Sequence, residues 1–240
     1  SVLDEAYNRY FPFVIEIRRR LLFTLAIILS FSTLGFIYYE RIIQFALKIF
    51  ALEGVNIVFT SPFQFINLAI TSALLVGTVT AFPLAIYQTL SFLKPALSKK
   101  EFKSVLALLP LSVTLFIGGF LFGIVIMRYV LRLFYERSTN LDVGNFLDIS
   151  SLLSQILVTS IAMGVAFQFP IILTILIKLK VIKYKAVEKQ RITAYIASIL
   201  FAAFLPPTDV LSLVLMALPL ILLYELTLIL NKVLLKTHLL

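Results

Sequence analysis

The chain has 240 residues, of which 61% are hydrophobic and only 14% are charged, and its formal net charge is +9. A soluble domain is about half apolar and about a quarter charged, so the apolar excess indicates a bilayer as the solvent. With no cysteine and a single histidine, we expect no disulfide, no metal site and no cofactor. The basic residues lie in short blocks between apolar runs, which is typical of membrane orientation signals rather than of nucleic-acid binding.

Six apolar runs follow one another, and each is a candidate membrane-spanning helix. The second run is longer than one crossing needs. Pro83, Pro110, Pro170 and Pro219 lie within four of the runs, where proline kinks a helix and can shape a bundle into a concave cup. We predict an all-α integral membrane protein with six transmembrane helices in one domain over residues 1–240. The predicted spans are about 21–39, 62–93, 104–127, 149–177, 192–208 and 210–230.

The last two predicted helices are short. Residues 192–208 lie between Arg191 and Asp209, and the next run is interrupted at Glu225. Because each run rises only about 25 Å as a helix, the pattern predicts a thin hairpin that turns at residues 206–209. The alternative is that each helix continues past its flanking charge.

Lysine and arginine counts predict the orientation. The N-terminal segment, the second and fourth loops and the C-terminal tail carry sixteen of these residues, against five in the other three loops. The cytoplasmic side of a membrane protein carries the excess, so both termini are predicted to be cytoplasmic. The membrane is predicted to be a plasma membrane, with an organellar membrane as the alternative.

Two carboxylates at the predicted cytoplasmic edge have both a structural and a functional interpretation. Glu16 is placed to pair with Arg20 one helical turn along, and Ser98 and Glu101 have the spacing of a capping box. Alternatively, both carboxylates face a common groove and bind cations. Within the membrane, Gln168 either forms a hydrogen bond between helices or contacts a ligand.

The sequence disfavours two other classes of protein. The HExxH and GxSxG motifs of hydrolases and the common nucleotide-binding motifs are absent, so we predict neither an enzyme nor direct coupling to ATP. A small-solute or ion transporter is the rival interpretation. It would need a cluster of ionisable groups near mid-membrane, where this chain offers only the neutral Gln168.

Six short motifs follow in order along the chain. They are FVIEIRRRL at 13–21, SP at 61–62, AFPLAIYQTLSFLKPAL at 81–97 followed by Glu101, MGVAFQFP at 163–170, LPPTDVLSL at 205–213 and ALPLILLYE at 217–225. Together they resemble the TatC family, the C subunit of the twin-arginine (Sec-independent) protein translocase. The resemblance extends over about residues 5–230. The chain departs from the family pattern at Phe13, where the family has histidine, at Gln168, where it has glutamate, at Leu213, where it has glutamine, and by an extra Thr208 before Asp209.

The resemblance implies a receptor for folded proteins that carry adjacent arginines in a signal peptide. It implies that Glu16 and Glu101 bind these arginines, with Arg18, Phe92 and Leu97 in the same site. Neighbouring side chains of an extended peptide point to opposite sides, so two separated carboxylates suit two arginines. A guanidinium also binds a carboxylate through two parallel hydrogen bonds, which an ammonium group cannot form.

The resemblance also implies partners within the membrane. Single-span subunits of the TatA/TatB type are expected at a polar site that includes Gln168, Asp209 and Pro170. The proton-motive force is expected to drive transport. Self-association of the chain is left open, and the bilayer itself is a partner.

Overall fold

The computed structural model describes residues 2–50, 56–58, 61–92, 94, 97–140 and 146–237, and most of them are helical. The elements of this described part, in chain order, are α1 (Val2–Ile37), α2 (Tyr39–Phe50), β1 (Asn56–Val58), α3 (Gln64–Phe92), α4 (Lys99–Leu106), α5 (Leu109–Asn140), β2 (Phe146–Asp148), α6 (Ile149–Ala166), α7 (Phe169–Lys178), α8 (Tyr184–Lys189), α9 (Arg191–Ala203) and α10 (Val210–Thr237). Five helical segments of the described chain are long and apolar enough to cross a membrane, and α9 is a shorter apolar helix. The predicted helical membrane protein is confirmed.

The chain divides into two compact units, residues 1–44 with 69–110 and residues 45–68 with 111–240. The first unit contains α1, most of α3, and α4. In this unit α1 and α3 approach closely, since a methyl group at Gly35 would lie 2.9 Å from the Cα atom of Ala73. The prediction of one domain over the whole chain stays a prediction.

The second unit has its own apolar core, to which α5, α6, α9 and α10 contribute. Its strands β1 and β2 pair in parallel, with Asn56 opposite Phe146. Near the strands, Asn67 donates a 2.6 Å hydrogen bond to Ser150, which fastens α3 to the start of α6. The buried core residues are Ile126, Val130, Met163, Ala202, Leu205, Met216, Ala217 and Leu220.

Helices α5 and α6 pack at close range through two glycines of α5. A methyl group at Gly119 would lie 2.6 Å from the carbonyl oxygen of Met163, and one at Gly123 would lie 2.6 Å from the Cα atom of Ser160. Small residues permit such backbone contact between membrane helices, where packing rather than the hydrophobic effect drives association. The Gly119-x-x-x-Gly123 spacing therefore marks a true helix–helix interface.

Replacing Gly123 by leucine should destabilise the protein by about 1–3 kcal/mol, because the new side chain meets the backbone of α6. Thermal unfolding of the detergent-solubilised chain measures this change. Gly118→Leu is the matched control, since no atom lies within 4 Å of a methyl group at that position. Equal loss of stability in both variants would contradict the close contact.

Two predicted helices are each divided in two. The predicted span 149–177 forms α6 and α7, because Pro170 in the first turn of α7 has no N–H to donate to the preceding turn. The predicted span 104–127 is divided at residues 107–108, where α4 has ended at Leu106 and α5 begins at Leu109 and continues to Asn140. Helix α2, which follows α1 directly, was not predicted because it is short and amphipathic rather than apolar.

The prediction of two short final helices is right for α9, which has 13 residues, and wrong for α10, which has 28. Helix α10 continues past Glu225 to Thr237. The charge of Glu225 does not end the helix because Arg191 lies 3.4 Å from its carboxylate and Tyr195 donates a hydrogen bond to it. The alternative that the last helix continues past its flanking charge is therefore confirmed.

Candidate functional site

Glu16 and Arg20 lie one turn apart on α1 and form an ion pair. The Arg20 Nε atom is 2.6 Å from Glu16 Oε1. Arg20 Nη1 also donates to Gln88 on α3, to both its backbone oxygen and its Oε1 atom at 3.0 Å each. The predicted pair is confirmed, and the same guanidinium links α1 to α3.

Two grooves adjoin this pair, and Arg20 and Gln88 line both of them. The polar groove has a volume of about 320 Å³ and is also lined by Glu16, Arg19 and Phe23. The apolar groove has a similar volume of about 320 Å³. Its other lining residues are Ile17, Leu21, Thr24, Ala85, Thr89 and Phe92. The arrangement places a carboxylate, with Arg19 and Arg20 beside it, next to an apolar surface.

Glu101 lies in the first turn of α4 and completes the predicted capping box. Its Oε2 atom accepts hydrogen bonds from the backbone N–H of Ser98 at 2.9 Å and from the Ser98 hydroxyl at 2.7 Å. In return, the Glu101 backbone N–H donates to Ser98 Oγ at 3.3 Å. The side chain is exposed. One carboxylate oxygen thus caps α4 at a solvent-accessible position.

The other residues predicted for this site lie in the same unit. Phe92, at the end of α3, lines the apolar groove. Arg18 is exposed on α1, and Leu97 is half-buried just before the Ser98 cap. The structure therefore places Phe92 in a groove that adjoins Glu16, whereas Glu101 lines neither of the two grooves.

Gln88, Arg19 and Phe23 are parts of the site that were not predicted from the sequence. Gln88 is the acceptor that anchors Arg20 from 68 residues away. No local spacing indicates such a contact. Its only signal in the sequence was a polar side chain within an otherwise apolar run.

Gln168, at the break between α6 and α7, is buried and fully hydrogen-bonded within the second unit. Its Nε2 atom donates to the backbone oxygens of Ser112 at 3.1 Å and Gly164 at 3.3 Å. Its Oε1 atom accepts from the Ser112 hydroxyl. The break leaves the Gly164 carbonyl without its regular helical donor, because the Gln168 N–H bonds to Val165 instead. The side-chain amide compensates, so its interpretation as an interhelical hydrogen bond is confirmed.

The other two residues of the predicted partner site have different surroundings. Asp209 precedes α10 and accepts hydrogen bonds from the backbone N–H of Ser212, at 2.9 Å, and from its hydroxyl. It therefore caps that helix. Pro170 lines an apolar pocket of about 260 Å³. Its other lining residues are Ala166, Phe169, Ala194, Ala197, Ser198, Phe201, Leu220 and Leu223.

A further polar cluster lies where α9 begins. Glu225 of α10 accepts a hydrogen bond from Tyr195 and lies 3.4 Å from Arg191. In α8, burial raises the pKa of the Tyr184 phenol, and the charge of Glu188 raises it further. The two contacts of Glu225 join α9 and α10. Among the described residues, no three histidine, cysteine, aspartate or glutamate side chains are grouped as a metal site requires.

Comparison with known proteins identifies the family. The family model described as "Sec-independent protein translocase protein (TatC)" matches residues 12–219. A TatC protein of Aquifex aeolicus is 32% identical over 225 residues, which are 90% of this chain and 92% of that protein. TatCy of Bacillus subtilis is 29% identical over 91% of this chain and 87% of its own length.

Solved structures agree with the sequence matches. A crystal structure of the twin-arginine translocase receptor TatC has a TM-score of 0.82 and 29% identity, covering 91% of this chain and 99% of that one. A second TatC crystal structure has a TM-score of 0.76 and 30% identity, covering 92% and 98%. With these matches and its apolar helices, the chain is a multi-pass membrane protein and a protein translocase component rather than an enzyme. It belongs to the TatC family of Sec-independent protein translocase proteins.

Proposed function

We propose that this chain is the receptor subunit that binds the twin-arginine signal peptide of folded proteins. The observation that carries the proposal is the position of Glu16. Its carboxylate lines the polar groove and already binds a guanidinium, that of Arg20. It therefore has the geometry to bind an arginine of another chain.

The neighbouring apolar groove supports the same ligand. A signal peptide has a positively charged segment followed by an apolar segment. The polar groove offers a carboxylate for the first segment, and the apolar groove, lined by Leu21 and Phe92 among others, offers a surface for the second. The two grooves share Arg20 and Gln88, so one peptide can contact both.

Glu101 is proposed to bind the second arginine. Its side chain is exposed, and its Oε2 atom accepts the hydrogen bonds of the cap. A carboxylate has several acceptor positions, so capping does not prevent it from receiving a guanidinium. Arg18 and Leu97 are proposed to border the path of the peptide between the two carboxylates.

The charge pattern supports a site on the cytoplasmic side. Arg18, Arg19 and Arg20 precede the first apolar run, and Lys99, Lys100 and Lys103 surround Glu101. Such blocks remain in the cytoplasm. The N- and C-termini are accordingly proposed to be cytoplasmic, in the compartment where folded cargo is made.

Recruitment of TatA/TatB-type single-span subunits is proposed to use the pocket beside Pro170, with transport driven by the proton-motive force. The pocket is apolar, and alanines line part of it. Small residues allow a partner helix to approach closely within a membrane. Gln168 and Asp209 support this site by holding the ends of α7 and α10, since their polar atoms bind within the chain.

The transporter alternative gains no support from the described residues. Buried Gln168 is neutral, and its amide is satisfied by Ser112 and Gly164. A site for ions near mid-membrane would need ionisable or unsatisfied groups.

The test is binding of a twin-arginine signal peptide compared with the same peptide carrying two lysines. We expect the lysine peptide to bind about tenfold more weakly, since an ammonium group cannot form the paired hydrogen bonds of a guanidinium. Fluorescence anisotropy of the labelled peptides with the purified chain in detergent measures both affinities. The two peptides carry the same charge, so equal affinities would contradict recognition through arginine geometry.

A further inference from the structure

The Glu16 carboxylate is engaged by an arginine of its own chain. Arg20 offers the same guanidinium group that a twin-arginine peptide would bring, and its Nε atom lies 2.6 Å from Glu16 Oε1. We infer that Arg20 is an internal competitor for the signal peptide, an inference that rests on the proposed function. While Arg20 neutralises the Glu16 carboxylate, that carboxylate attracts a peptide arginine less strongly, so the peptide gains its full affinity only when the pair opens.

Gln88 makes this exchange possible. The Arg20 Nη1 atom donates to both the backbone oxygen and the Oε1 atom of Gln88, at 3.0 Å each. When Glu16 is taken by a peptide, these two acceptors still hold the guanidinium of Arg20. The displaced arginine therefore keeps hydrogen-bond partners, and the grooves keep their lining.

The ion pair between Arg20 and Glu16 is strong enough to compete with a peptide arginine and weak enough to open. The two side chains are 25% and 43% exposed, so water screens the pair and it can open. When only a fraction of a receptor is free to bind, the apparent dissociation constant rises by the reciprocal of that fraction. For a partly exposed pair such as this one, we expect a roughly two- to fivefold loss of affinity.

Arg19 provides a matched control within the same groove. It lies next to Arg20 in sequence and lines the polar groove, but makes no hydrogen bond or ion pair with the part of the chain that the structure describes. Replacing either arginine by glutamine removes one positive charge near the peptide. Only Arg20→Gln also releases Glu16.

The experiment measures the affinity of a labelled twin-arginine signal peptide for the purified full chain and its variants by fluorescence anisotropy. We expect Arg20→Gln to bind the peptide roughly two- to fivefold more tightly than Arg19→Gln. In a Glu16→Gln background the difference between the two variants should disappear. Both results together support competition at Glu16.

Two outcomes would overturn the inference. The first is that Arg20→Gln binds no more tightly than Arg19→Gln. The second is that its gain persists without the Glu16 carboxylate. If Arg20→Gln fails to fold, Arg20→Met compared with Arg19→Met becomes the deciding pair, because methionine keeps an unbranched side chain but cannot pair with Glu16. Arg20→Met must then bind the peptide more tightly than Arg19→Met.

Different results would contradict the proposed function and the competition by Arg20. If Glu16→Gln leaves peptide affinity unchanged, the carboxylate does not bind the signal peptide, and the proposed function itself is wrong at this residue. If Glu16→Gln weakens binding while Arg20→Gln and Arg19→Gln remain equal, only the competition by Arg20 is wrong.

Discussion

Replacing Glu101 by glutamine should weaken binding of the twin-arginine peptide about tenfold while leaving α4 folded. Glutamine serves in a capping box as glutamate does, so Glu101→Gln keeps the reciprocal bonds with Ser98 and removes only the charge. Glu101→Ala should weaken binding equally and in addition destabilise the helix by about 1 kcal/mol. Peptide anisotropy and thermal unfolding separate the two effects.

The matched control for the loss of charge is Glu136→Gln on α5. Glu136 is exposed and pairs with Arg132 at 3.3 Å, but lines neither groove. This variant should bind the peptide like the wild type. If Glu101→Gln behaves like the wild type and only Glu101→Ala loses affinity, then Glu101 acts through its cap alone.

For cargo export, the Glu16→Ala, Glu101→Ala double variant should show the largest loss, and unchanged export would contradict both roles.

Replacing Gln168 by leucine should destabilise the protein by about 1–3 kcal/mol, one of the larger losses expected for a single change. The substitution removes every partner that the Gln168 amide provides at the helix break. The carbonyl of Gly164 and the Ser112 hydroxyl then lose a buried hydrogen bond. Thermal unfolding in detergent measures the loss. Gln155→Leu on α6 is the control, because Gln155 is exposed, and its variant should match the wild type.

Gln168→Glu distinguishes a structural amide from a docking group. A carboxylate has no N–H to donate to the carbonyls of Ser112 and Gly164, so this variant should be less stable than the wild type at neutral pH and should recover as the pH falls. A wild-type melting temperature at every pH would contradict the donor role. Unchanged partner binding and export would show that a charge at this position is dispensable.

Several features of the site could be predicted because they depend on neighbours in sequence. The Ser98–Glu101 capping box and the Glu16–Arg20 pair each join residues within four positions, so their spacing alone indicates the contact. The break at Pro170 was similarly foreseeable as a kink, though not as two separate helices. Contacts across greater distances left no such pattern.

Gln88 and Gln168 show which contacts could not be predicted from the sequence. Each was recognisable as a polar residue in an apolar run, yet their partners, Arg20 and Ser112, lie 68 and 56 residues away in sequence. Which polar groups meet depends on how helices pack, and helix packing follows from shape rather than from sequence spacing. The functional meaning of both glutamines therefore depended on the structure.

By itself, the sequence determined that this protein is a helical membrane protein, because each span is a continuous stretch of apolar residues that can be recognised without knowing its neighbours in the fold. Its ordered motifs also indicated the TatC family without any knowledge of the tertiary contacts. Only the tertiary structure decided that Gln88 holds the guanidinium of Arg20 beside Glu16, and that α10 continues past Glu225. In both cases a residue distant in the chain pairs with the charged group, so the sequence around that group does not predict the contact.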